Sequence, residues 1–219
     1  MFVRNQWSFY VSIFTLIILM QACTKGLTVS TVAYENAFEK GERPLLDVYT
    51  WNSAGTAVIT RTEPMITQFA GTRLLGNFNN ALVRLTLNQL PQHTILKVEF
   101  DLYLHDKWAN DLWRYSIDGS DQLLTGFSNS DTIPQSYPNW RGNGSALSPA
   151  GKNAQDIKLP GICALLSSQR GTSLYRIIST IQHTGNTAVV DWNDAGGFFN
   201  DTCQRSWAID NIKVTAIHN

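Results

Sequence analysis

The chain has 219 residues, and its 17 Lys+Arg balance 17 Asp+Glu to a formal net charge of zero. No basic excess and no Lys/Arg run is present, which excludes the electrostatic footprint of a nucleic-acid binder. Charged residues make up only 16%, below the roughly 25% of an average soluble protein, and Thr, Ser, Asn and Gly fill the space, an extracellular composition.

The first element is an address. Met1 to Ala22 carries a lone Arg4 and the apolar run Val11 to Met20. That run is too short to span a bilayer and reads as the core of a secretory signal, so the mature protein is expected outside the cytoplasm. Leu19-Met20-Gln21-Ala22-Cys23 resembles a bacterial lipobox, although Met20 and Gln21 stand where that family has Leu and a small residue. The resemblance implies that Cys23 is acylated and holds the protein on a membrane, each buried methylene adding about 0.8 kcal/mol. Cleavage by the ordinary signal peptidase is the alternative. Thr24 lacks the Asp that can signal inner-membrane retention, which favours the outer membrane or cell surface. Residues 23–33 then read as a short linker and 34–219 as one β-sandwich domain.

Beyond the signal no helical period, repeat or heptad is found. The recurring pattern has a period of two. In Leu96-Lys-Val-Glu-Phe-Asp-Leu-Tyr-Leu104, residues Leu96, Val98, Phe100, Leu102 and Leu104 share one face, and Lys97, Glu99, Asp101 and Tyr103 the other, predicting a half-buried antiparallel strand. Weaker copies run over Ala81–Leu87, Leu112–Asp118, Gln122–Phe127, Leu174–Ile181, Thr187–Trp192 and Trp207–Ile217. Turn signals separate them at Asn77 to Asn80, Pro91-Gln92, Asp118-Gly119, Gly185-Asn186 and Gly196-Gly197. Many short strands without intervening helices predict an all-β fold of two packed antiparallel sheets. Asp131 to Lys158, rich in Pro, Gly and Asn, reads as a long surface excursion.

Two features of this pattern bear on chemistry. Past Cys23 only Cys163 and Cys203 remain, either a disulfide closing a loop of roughly 40 residues or two buried thiols. In the last strand, unbroken alternation places Asp210 and Ala208 on the core face with Ile212, Val214 and Ala216, where a carboxylate needs backbone donors, a cation or a metal. A bulge before Ile212 would instead turn Asp210 outward.

Asn36-Ala-Phe-Glu39, Phe100-Asp-Leu-Tyr103, Asp111-Leu-Trp-Arg-Tyr-Ser-Ile-Asp-Gly119, Thr125-Gly-Phe-Ser-Asn129, Gln135-Ser-Tyr-Pro138 and Ser206-Trp-Ala-Ile-Asp-Asn-Ile-Lys-Val214 follow one another in an order that resembles extracellular bacterial jelly-roll modules, similar to MAM and concanavalin A-like domains. The resemblance implies that the first and last strands lie side by side. It also implies that Glu39 and Asp210 meet at one structural calcium or sodium ion, completed by carbonyl oxygens, as a hard cation requires. Ala37 and Ala208 depart from the family's Asp and Gly, and the missing carboxylate lowers any affinity.

Concanavalin-like folds include glycoside hydrolases. Glu99 and Asp101, two apart on one strand, match part of a retaining glycosidase's Glu-x-Asp-x-x-Glu, but no second Glu follows to complete the acid and nucleophile pair. There is no Gly-x-Ser-x-Gly elbow and no His-Glu-x-x-His helix, and the four histidines lie scattered. Aromatic residues in expected loops, Trp51, Trp108, Tyr137 and Trp140, point instead to binding. Trp108, Asp111, Tyr137 and Trp140 are the candidate ligand contacts, since flat rings beside Asn, Asp and Arg hold sugars or extended peptides. The sequence therefore predicts a non-catalytic, lipid-anchored recognition, adhesion or envelope module with a glycan or an envelope protein as partner. A glycan hydrolase using Glu99 and Asp101, and a protein-binding scaffold subunit, are the alternatives.

Overall fold

A computed structural model describes residues 28–51, 57–59, 65–140, 146–168, 170–194 and 201–218. The signal segment, Cys23 and the turn expected at Gly196-Gly197 lie outside the described residues, as does the side chain of Trp51. The described chain is all-β, with its strands in two antiparallel sheets. The first sheet runs in the order β10 (Asp156–Leu159), β11 (Thr172–Gln182), β7 (Ile95–Asp106), β13 (Arg205–His218), β5 (Thr72–Phe78) and β4 (Ile66–Phe69), with β1 (Val29–Asn36) also paired to β13. The second runs β3 (Ala57–Ile59), β2 (Leu46–Trp51), β6 (Ala81–Asn88), β12 (Thr187–Asn193), β8 (Ala109–Ile117) and β9 (Ser120–Ser128). From β5 to β8 successive strands alternate between the sheets, so both layers close on one core.

That core is the product of period-two alternation. Leu96, Val98, Phe100, Leu102 and Leu104 of β7 and Ala81, Val83, Leu85 and Leu87 of β6 are all buried in it. At its centre the Phe100 ring meets Trp113, Tyr115 and Trp192 at centroid distances of 6.0, 5.1 and 5.6 Å. Trp207 joins them from β13, 6.0 Å from Trp113 and 4.9 Å from Phe78. The β8–β9 turn at Asp118-Gly119 takes φ of 49° and 77°, the left-handed pair a two-residue hairpin needs.

The expected pairing of first and last strands is present, with Asn36 opposite Ile212. The strand begins earlier than the sequence reading placed it: β1 starts at Val29, within residues read as linker. The excursion also departs from a plain surface loop. Its end forms β10, and Gln135 bridges to Ser148. The Gln135 amide holds the excursion on the core, accepting hydrogen bonds from Ser128 N, Gly151 N and Tyr175 Oη and donating to the carbonyls of Tyr137 and Lys152.

The face of β13 corrects the unbroken alternation. The β13–β7 register shifts between Asp210 and Lys213, and Asn211 sits at φ 49°. This bulge lets Trp207 and Ile209 face the core on one side of it and Ile212, Val214 and Ala216 on the other. Ala208 is turned to the opposite face, where it packs with Leu74 and Tyr103, and Asp210, two residues on, shares that face. That outer face is not the solvated surface expected from Lys97, Glu99, Asp101 and Tyr103, because Asp101 and Tyr103 are both buried. Phe69, Leu159 and Leu174 pack around Tyr103. Replacing Phe100 with Ala, at the contact of both layers, is expected to cost about 3–5 kcal/mol, read as a lowered midpoint in urea unfolding.

Candidate functional site

Three places hold the residues singled out in the sequence. The first is the outer face of the β10-to-β4 sheet, where Glu99 and Asp101 lie. Arg176, opposite Asp101 on β11, sets Nη1 3.0 Å from Asp101 Oδ1 and Nη2 3.7 Å from Glu99 Oε1. Lys97 Nζ stands 3.1 Å from Glu99, and the Asn211 amide donates to Asp101 Oδ2 at 2.7 Å. Both carboxylates are thus neutralised by cations of their own sheet, and both Asp101 oxygens are engaged. A depression lies over Glu99, Arg176, Asn211 and Lys213. Its charge is paired within the wall.

The second place is where Glu39 and Asp210 meet. Thr72 Oγ1 lies 2.8 Å from Glu39 Oε1 and 3.1 Å from Asp210 Oδ2. One hydroxyl proton cannot serve two carboxylates at once. Asn211 N donates to Asp210 Oδ1 at 2.7 Å, and Arg73 N to Glu39 at 3.2 Å. Asp210 is 1% exposed. Burial pushes its carboxyl up from 3.8 to about 6, helped by the charges of Asp101 and Glu39 against the opposing bonds from Asn211 and Thr72. Glu39 moves the other way, lowered by the Thr72 hydroxyl and the Arg73 N–H. The donors are all oxygen, as a hard cation takes them, but they amount to two carboxylates and a hydroxyl. Among the described residues no group of three or more His, Cys, Asp or Glu is placed to hold a metal ion.

The third place is the end of the sandwich where β7 runs into β8. Asp106 takes φ 66°, turning the chain so that its fully buried carboxylate meets the 161–168 segment. Oδ1 accepts from Cys163 N at 3.3 Å and Leu165 N at 2.8 Å, while Oδ2 is buried with no hydrogen-bond partner. A Cβ on Gly161 would collide with Oδ1, so the backbone comes this close only because that residue is glycine. Cys163 is disulfide-bonded to Cys203. The bond fastens this segment to the chain just before β13. Asp106, Lys107, Trp108, Ala109, Asn129, Ser130, Ile133 and Leu165 enclose a depression of about 320 Å³, most of whose wall is carbon.

Of the expected ligand contacts Trp108 borders this hollow, while Asp111 and Tyr137 are half-buried. Trp108 has no exposed surface, donates from Nε1 to Ser206 O at 2.9 Å and lies 5.1 Å beneath the Arg205 guanidinium. It therefore supports the wall and offers no free face to a ligand, which corrects its expected role. Asp111 is ion-paired with Arg205 and accepts from Ala109 N at 2.8 Å. Tyr137 stacks on Phe127 at 4.7 Å and meets Tyr175 edge-on at 5.2 Å, a packing role. Trp140, 40% exposed, does present its ring to solvent. Asp106, Asn129 and Ile133, which border the hollow, were not singled out from the sequence as contacts, and no turn was read at Pro160-Gly161, where the chain comes close to Asp106.

No protein-family model and no curated protein matches the sequence. Among solved structures the chain is similar to a family 35 carbohydrate binding module from Clostridium thermocellum, with 9% identity and a TM-score of 0.36 over 85% of this chain and 97% of that one. It is also similar to a cycloisomaltooligosaccharide glucanotransferase from Paenibacillus sp., with 12% identity, a TM-score of 0.31 and coverage of 88% of this chain but 18% of that one. A third is the C-terminal CBM6 of LamC, a marine laminarinase from Zobellia galactanivorans, at 12% identity, TM-score 0.27, and 87% and 99% coverage.

Two expected outcomes test this geometry. Replacing both Cys163 and Cys203 with Ser should lower stability by about 2–4 kcal/mol in denaturant unfolding, with faster amide exchange concentrated at residues 161–168. For Asp210, a raised carboxyl makes ionisation costly to the fold. In chelator-containing buffer stability should therefore rise as pH falls through about 6 toward 3.8, and Asp210→Asn should remove that part of the pH dependence.

Proposed function

We propose that this chain is a non-catalytic extracytoplasmic recognition module whose ligand is a glycan seated in the Asp106 depression. One observation carries the reading: a largely apolar hollow bordered by the buried Asp106, whose Oδ2 has no hydrogen-bond partner among the described residues. An unpaired buried acceptor costs free energy until a ligand supplies an O–H or N–H. A sugar ring supplies hydroxyl donors on its rim and an apolar face for Ile133 and Leu165. Asn129 and Ser130 border the same hollow. The lipobox-like Leu19 to Cys23 supports acylation at Cys23 and a place on the outer membrane or cell surface, and loss of labelled fatty acid in Cys23→Ala would test it.

A glycan panel titrated by calorimetry tests the site. Asp106→Asn keeps an acceptor for Cys163 N and Leu165 N but puts an amide in place of Oδ2, and should weaken binding by about 10- to 100-fold. Equal affinity in the variant, or no glycan bound by the wild type, would overturn the reading. Turnover of a glycan that Glu99→Gln abolishes would favour hydrolysis instead, a role to which the Arg176 and Asn211 contacts of Asp101 are poorly suited. Capture of a protein with no glycan bound would favour a scaffold, for which Ile133, Trp140, Leu147 and Leu166 offer exposed apolar surface on the excursion and the disulfide loop.

We further propose that the Glu39–Thr72–Asp210 oxygens take one calcium or sodium ion, because a cation resolves the shortage of donors between the two carboxylates. Adding calcium to chelated protein should then raise the melting temperature by the linkage of a native-state ligand. An unchanged melting curve would count against it.

A further inference from the structure

Two histidines 90 residues apart in sequence meet at the far end of β7 from the Asp106 hollow. His93 lies on the β6–β7 connection and His183 on the β11–β12 connection, with His93 Nε2 2.7 Å from His183 Nδ1. Their planes are 9° apart and their centroids 5.0 Å apart. With nitrogens this close, centroids that far apart require both nitrogens to lie nearly on the line between ring centres. The rings are thus edge to edge in one plane, the geometry of a hydrogen bond. The outer nitrogens are engaged too: His93 Nδ1 lies 2.6 Å from Pro91 O, and His183 Nε2 3.0 Å from Asp118 Oδ2. The other Asp118 oxygen accepts from Val189 N at 2.8 Å.

Counting protons along this row leaves little freedom. Pro91 O can only accept, so His93 Nδ1 carries a proton. The nitrogen-to-nitrogen bond needs one proton, and the bond to Asp118 needs another. Two neutral imidazoles beside an ionised Asp118 hold only two protons for three bonds, which would set two lone pairs facing each other. We propose that His93, His183 and Asp118 together hold three protons, an imidazole–imidazolium pair balanced by the Asp118 carboxylate, and that this shared proton clasps three connections and makes this end of the sandwich sensitive to base. The connections are β6–β7 and β11–β12, each of which crosses between sheets, and the β8–β9 hairpin turn.

Among the described residues, the carboxylates and cations of the neighbouring strands are paired with one another, and His218 is the further titratable group. The β6–β7 connection adds Gln92 and Thr94, β11 ends at Gln182 and β12 begins at Thr187. β13 brings His218, next to Ile217, whose carbonyl accepts from Thr94 N at 2.9 Å. Asp121 of the hairpin is paired with Arg114, and Lys97 of β7 with Glu99.

The linkage follows from the proton count. Unfolded histidines lose their protons near pH ~6.5, so above that point the native state binds one proton more than the unfolded chain. Stability then falls as pH rises, by up to roughly tenfold in the folded-to-unfolded ratio per pH unit, until the clasp itself gives up the proton.

Nitrogen-15 NMR of the two rings in the full chain at about pH 7.5 tests the count directly. Three ring N–H protons between His93 and His183 are expected. Two ring protons would overturn the proposal. Unfolding from about pH 6.5 upward supplies a second reading, in which wild type should lose stability with pH more steeply than His183→Gln. Coincident slopes would also sink it. Should the variant fail to fold, the wild-type ring spectrum decides alone.

Discussion

A one-residue bulge in β13 is the constraint on which the rest of this molecule depends. Trp207 and Ile209 are odd-numbered, while Ile212, Val214 and Ala216 are even-numbered, and all five lie in one core. A regular strand places only one parity on a face. The left-handed residue Asn211 inserts the extra step, at a position where Asn bears such a dihedral more readily than most residues. β13 is also the strand to which β7, β5 and β1 all pair. The phase change therefore sets which side chains three other strands meet on each side of it.

The same bulge explains the charge on the outer face. Once Asp210 is turned away from the core it comes to lie beside Asp101 and Glu39, and the freed Asn211 side chain reaches Asp101 Oδ2. Three carboxylates in one patch are tolerable because each has a specific compensation. Arg176 answers Asp101, backbone and hydroxyl donors answer both Glu39 and Asp210, and burial raises the carboxyl of Asp210 while that of Glu39 is lowered. Pairing of this kind favours a wall over a reactive centre, since a catalytic acid or base must keep an oxygen free for substrate.

Strands with long unbroken alternation were legible from sequence, and those depending on distant partners were not. Leu96 to Leu104 states its own inward face, and β6, β8, β11 and β12 do so more faintly. β4, with only four residues, and β1, exposed through much of its length, carry no comparable pattern, because their places come from pairing with β5 and β13. The parity change from Ile209 to Ile212 was in the sequence, and of the two readings given for it the bulge before Ile212, not the unbroken alternation, is the one the structure contains. Asp106 was harder still. Nothing local marks it as buried, and its burial comes from residues 161–168 returning under the Cys163–Cys203 bond. Trp108 misled for the opposite reason: it does leave a strand, but Arg205 and Ser206 of the last strand cover it.

The two ends of the sandwich hold their polar groups in contrasting ways. At the His93 end every polar atom in the row from Pro91 to Asp118 has a partner, so a ligand entering there would have to break bonds before making any. At the Asp106 end one buried carboxylate oxygen has no hydrogen-bond partner among the described residues, and its residue borders a largely apolar hollow beside a glycine, a disulfide and a buried indole. The connections at the first end are tied to one another, whereas those at the second are tied around a space.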